Sequence, residues 1–136
     1  MKMEIKRIAE PYVFEFSDSK GNSIIMDSSD DLEGQNKGMT PMQVLLGSLM
    51  GCMSIDIILV LKKQRLSPKE YRVEASTKKK EGVPSPYEVI HFDIRIDHDI
   101  DVKRIHRAVR LSLDKYCSVR SCLKEDIEIT FEIHSV

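Results

Sequence analysis

A chain of 136 residues falls within the size of one domain, so a single core over residues 1–136 without an interdomain linker is expected. Apolar residues make up 41% and charged residues 32%, a globular balance that excludes a disordered chain. Lys and Arg total 21 against 22 for Asp and Glu, so no sequence-wide field draws the protein to nucleic acid or anionic lipid, and small molecules or proteins are the expected partners.

From Met3 to Asp27 the pattern reads as strands. Met3 and Ile5, then Tyr12, Phe14 and Phe16, then Ile24 and Met26 are its apolar positions, and Ser17-Asp18-Ser19-Lys20-Gly21-Asn22 supplies turn chemistry between them. Ser28 to Gly38 is polar and rich in turn formers, which suits a mobile surface loop. Thr40-Pro41-Met42-Gln43 then opens a helix. Thr40 can cap the free amides, Pro41 fits the first helical position, and Gln43 can reach back as in a capping box. The helix should run to about Leu61 or Arg65, and between Val44 and Leu61 its only polar side chains are Ser48, Cys52, Ser54 and Asp56.

Tyr71, Val73 and Ala75 alternate with polar neighbours as a strand, and Gly82-Val83-Pro84-Ser85-Pro86 turns the chain. Ile90, Phe92, Ile94 and Ile96 face one way and His91, Asp93, Arg95 and Asp97 the other, as in a half-buried antiparallel strand. Asp101 can cap a second helix, in which Val102, Ile105, Val109, Leu113 and Tyr116 form an apolar stripe. Ile127, Ile129, Phe131 and Ile133 mark a closing strand. The fold class is therefore α+β, an antiparallel sheet packed on a long buried central helix and a second helix.

The first helix is apolar nearly all round and must be covered on every side, yet so short a chain offers one sheet face and one other helix to cover it. A second copy is the simplest supplier of the missing wall, which predicts an interlocked homodimer. A membrane is the competing cover. Asp56, two glycines and two serines within a run barely long enough to span argue against it.

Three cysteines, Cys52, Cys117 and Cys122, match neither a disulfide framework nor a paired zinc motif. The N-terminus lacks the roughly 7–15-residue apolar stretch of a secretory signal, so a cytoplasmic location is expected. Cys52 lies mid-helix beside Ser48 and Gly51. Its plain reading is a small buried hydrophobe, with Asp56 one turn on opposing a thiolate. Cys117 ends the second helix, and Ser118 could cap a short helix through Leu123; a thiol there either gains from helix-terminal amides or fills a gap. Cys122 reads as structural. His91, His98, His106 and His134 show no metal-ligand spacing and read as surface residues. Lys62-Lys63-Gln64-Arg65 and Lys78-Lys79-Lys80 read as solvated faces or a helix C-terminus.

The run from Gly38 through Thr40-Pro41-Met42-Gln43 to Gly51-Cys52, followed later by Ser112-Leu113-Asp114-Lys115-Tyr116-Cys117-Ser118-Val119, resembles the OsmC/Ohr family over nearly the whole chain. The resemblance implies an α+β dimer interlocked around central helices. It also implies reduction of organic hydroperoxides by two cysteines at the subunit interface, Cys52 attacking and Cys117 resolving, with an external dithiol as reductant and no cofactor or metal. Met42, Gln43, Leu46 and Leu49 would line the substrate pocket, whose apolar surroundings favour a greasy hydroperoxide. Peroxidases of this family place a Glu at the start of the cysteine helix and an Arg in the N-terminal strands, paired beside the thiolate. Here Met42 and the uncharged Gln43 stand at the helix start, and Arg7, Lys20 and Lys37 are the candidate cations. That departure keeps two rivals in play: a non-catalytic binding protein for a small apolar ligand at the dimer interface, and a thiol redox sensor.

Overall fold

The computed structural model describes all residues, Met1–Val136. They form two compact units, Met1–Ser48 and Leu49–Val136, and helix α1 (Pro41–Lys63) runs through the division.

In the first unit, β1 (Met3–Ala9), β2 (Val13–Asp18) and β3 (Ser23–Met26) form an antiparallel sheet in that order. The β2–β3 turn closes on Asp18, whose carboxylate accepts the amides of Lys20 at 2.8 Å and Asn22 at 3.0 Å. Gly21 there takes φ +92°, a conformation open to glycine. Tyr12, expected in a strand, sits in the β1–β2 turn. Pairing sets Ile5 beside Phe16 and Phe16 beside Ile24, one apolar row across the sheet. Ile5 stays 58% exposed and Ile24 37%, so this unit does not cover its own row. The polar segment after β3 is tied back to Asp27, which is buried and accepts the amides of Ser28 at 2.7 Å and Gln35 at 2.9 Å.

Helix α1 begins as its sequence dictates: Thr40 N donates to Gln43 Oε1 at 2.9 Å and Gln43 N to Thr40 Oγ1 at 3.3 Å, a reciprocal capping box. It ends in a Schellman turn, with Leu66 N donating to Leu61 O and Arg65 N to Lys62 O. Arg65 occupies the left-handed position at φ +60°.

In the second unit, β4 (Tyr71–Lys79) pairs antiparallel with β5 (Tyr87–Ile96), and β6 (Glu128–Ser135) pairs with β5 in parallel. The sheet is thus mixed, where an antiparallel sheet was expected. Helix α2 (Val102–Leu111) lies in the β5–β6 connection, and a long helical crossover delivers a strand in parallel. Ile90, Phe92, Ile94 and Ile96 of β5, Ile105, Ala108 and Val109 of α2, and Leu49, Met53, Ile57 and Leu61 of α1 are fully buried. Each large side chain among them contributes about 1.5–3 kcal/mol on burial.

Asp101 caps α2, accepting Lys103 N at 2.9 Å. One turn of wider helix, Ser112–Tyr116, extends it, and the expected stripe is broken at both ends. Ile105, Val109 and Leu113 are buried, whereas Val102 is 46% and Tyr116 47% exposed. The extra residue in that turn rotates Tyr116 away from the core. By length and composition α1 is long and apolar enough to cross a membrane. One stripe of it is buried in this fold, and hydrogen bonds from Tyr71 Oη to Ser54 Oγ at 2.9 Å and from Ser112 Oγ to Asp56 Oδ2 at 2.7 Å tie that side to the second unit. The opposite face, with Ile55 63% and Leu59 49% exposed, is left bare by this chain.

Candidate thiol site

The second unit brings Cys52, Asp56 and Cys117 together. Both sulfurs and a carboxylate oxygen of Asp56 lie within 4.8 Å of one another. Helix periodicity sets Asp56 one turn beyond Cys52 on the same side of α1. The wide turn after α2 brings the chain back so that Cys117 N bonds Ser112 O at 2.8 Å, and it points the Ser112 hydroxyl at Asp56.

Cys117, not Ser118, caps the short helix α3 (Ser118–Cys122): its Sγ accepts Arg120 N at 3.3 Å. The expected cap at Ser118 is displaced by one residue because the wide turn ends at Tyr116. Cys117 is buried, Cys52 half-buried and Cys122 exposed, and all three are free thiols. Burial, first, pushes the Cys117 thiol up to about 11; its hydrogen bond and charge interaction with Cys52 and the charge of Asp56 add to this, against the lowering effect of the Arg120 amide. The neighbourhood of Cys117 therefore favours the thiol over the thiolate.

Of the residues expected to line a pocket, Leu49 is fully buried, Met42 and Leu46 are half-buried, and Gln43 is exposed with its amide engaged in the helix cap. Two of the candidate cations have partners near at hand in the first unit: Arg7 lies 3.6 Å from Glu10 and 3.5 Å from the Pro11 carbonyl, and the Lys37 charge acts on Asp27. Ser112 was not singled out from sequence. Its signal is weak, a serine one turn before a Tyr-Cys pair, and its role depends on the wide turn.

The family model for OsmC-like protein matches residues 34–132. Protein YhfA of Escherichia coli K12 is 30% identical over 132 residues, covering 96% of this chain and 94% of that protein. A crystal structure of a protein from Aquifex aeolicus VF5 superposes with a TM-score of 0.81 at 28% identity, over 99% of this chain and 96% of that one. The organic hydroperoxide resistance protein OhrB of Bacillus subtilis shares the fold, with a TM-score of 0.69 at 11% identity over 98% of this chain and 96% of that one.

Proposed function

The chain belongs to the OsmC-like family, and from that premise we propose that it is a thiol-dependent peroxidase for small organic hydroperoxides, with Cys52 attacking and Cys117 resolving. The observation that carries this reading is the approach of the two sulfurs to within 4.8 Å of one another. Cys52 is the more open of the pair, which suits the sulfur that meets substrate.

The Cys52 thiolate attacks the terminal peroxide oxygen; the O–O bond breaks, the alkoxide leaves and takes up a proton as alcohol, and Cys52 becomes a sulfenic acid. Cys117 then loses its proton and attacks the sulfenyl sulfur; the S–S bond forms and hydroxide leaves with that proton as water. An external dithiol reduces the disulfide by exchange. No cofactor enters these steps.

We propose that Met42, Gln43, Leu46 and Leu49, on the turns before Cys52, meet the substrate, and their largely apolar character favours a greasy one. The active form is a cytoplasmic homodimer, and residues 1–136 act as one domain. Support for the dimer comes from the apolar rows that each unit leaves bare. Cumene hydroperoxide added to the reduced protein should convert Cys52 and Cys117 to a disulfide within seconds and spare Cys122; unchanged thiol counts would defeat the proposal.

Asp56 beside both sulfurs favours the second reading, a binding protein for an apolar ligand, because its charge opposes a thiolate. A purified dimer that retains such a ligand and is inert to peroxide would select it.

A further inference from the structure

A second group of donors lies on the face of the β4–β5–β6 sheet opposite Ile90, Phe92 and Ile94. Parallel pairing sets His91 beside Thr130, Asp93 beside Glu132 and Arg95 beside His134, and paired residues share a face. The ligating atoms of His91, Asp93 and Glu132 all lie within 4.8 Å of one another. His134 Nε2 hydrogen-bonds Asp93 Oδ1 at 2.8 Å, and His91 Nε2 stands 3.7 Å from that same oxygen. On the far side of the His91 ring, Nδ1 lies 2.6 Å from Thr130 Oγ1.

We infer that His91, Asp93 and Glu132 form a binding site for a divalent transition-metal ion such as zinc, with Thr130 and His134 holding two of the ligands in place. One imidazole and two carboxylates are donors that zinc accepts, and three protein ligands leave a position for water. Two carboxylates also balance the ion's charge. When Nδ1–H donates to the Thr130 hydroxyl, Nε2 keeps its lone pair and faces Asp93, the arrangement by which an outer hydrogen bond fixes the metal-binding tautomer. The His134 bond to Asp93 does the same for the carboxylate. Zinc sits about 2.0–2.2 Å from nitrogen and oxygen ligands, so the donors must close in by roughly an ångström; Glu132 is exposed and free to swing. The site is independent of the thiol chemistry proposed above.

The thiol site is itself a cluster of three donors, so the test removes it first. In the full-length Cys52→Ser/Cys117→Ser protein, equilibrium dialysis against zinc should show one saturable ion per chain. Adding His91→Ala, or separately Glu132→Gln on the exposed rim, should each weaken binding by about tenfold or more. Cobalt bound to the same background should give visible ligand-field bands without a sulfur-to-cobalt charge-transfer band. Absence of saturable zinc binding in that background overturns the inference, as does binding that neither the His91 nor the Glu132 substitution alters.

Discussion

Burial pushes Cys117 up to about 11, with Cys52 and then Asp56 adding smaller raising effects, so at neutral pH this sulfur is almost wholly protonated. Once Cys52 is oxidised, the rate of disulfide closure should follow the Cys117 thiolate fraction and rise with pH above 7; stopped-flow measurement with excess peroxide checks this, and a flat profile would remove Cys117 from the proposed resolving role. Replacing Asp56 by Asn should lower the Cys117 value and speed closure at pH 7. The same elevation has a stability consequence. The folded value lies above the unfolded one, so the stabilisation is fully present below about pH 9 and is lost as pH rises through about 11. It amounts to on the order of 2 kcal/mol. Urea unfolding at pH 7.5 and 10.5 should therefore show a smaller loss in Cys117→Ala than in the native chain. At this scale the two cysteines that the fold brings together were singled out by their motifs, and Asp56 by its one-turn spacing after Cys52. The Ser112 hydroxyl was not, since only the wide turn after α2 brings it to Asp56. The His91, Asp93 and Glu132 group was hidden for a related reason: its ligands come from strands far apart in the chain, and only parallel register sets them side by side.

Among the elements, α1 was the most legible, because its start is a local matter. The capping box at Thr40 and Gln43 forms from residues three apart, and Thr40→Ala should cost about 1 kcal/mol. Its interior has two faces of the same composition and different fates. Ile57 is fully buried, while Ile55, two residues earlier, is 63% exposed. Ile57→Ala should thus cost about 2–5 kcal/mol in chemical denaturation, whatever the assembly state. The β6 strand was placed correctly in the chain but not in the sheet: its alternation fixes which side faces the core, and carries no information on whether it runs with or against β5. The wide turn at Ser112–Tyr116 was likewise invisible, since an inserted residue leaves a stripe of apolar letters intact on paper while rotating Tyr116 out of the core.

For the whole molecule, the decisive quantity is the apolar surface that one chain does not cover. Ile5 and Ile24 in the first unit, and Ile55 and Leu59 in the second, are each more than a third exposed. Large side chains left bare on one face of a sheet or of a helix are candidates for an interaction surface. On α1 the bare face also carries Gly47 and Gly51, where an added Cβ would meet nothing within 4 Å, so a second helix has room to approach closely. A two-fold pair would bring the same face of two α1 helices together and repeat every side-chain meeting twice. A single lysine at Ile55 would then place two like charges in one apolar seam, each needing to be desolvated. Sedimentation should find the native chain as a dimer at micromolar concentration, and Ile55→Lys as a monomer or aggregate with a lower melting temperature. A substitution at Lys62, beyond the apolar part of that face, should leave the dimer intact. If the native chain sediments as a monodisperse monomer, its bare rows are compatible with water after all, and the placement of the thiols beside a subunit interface goes with them.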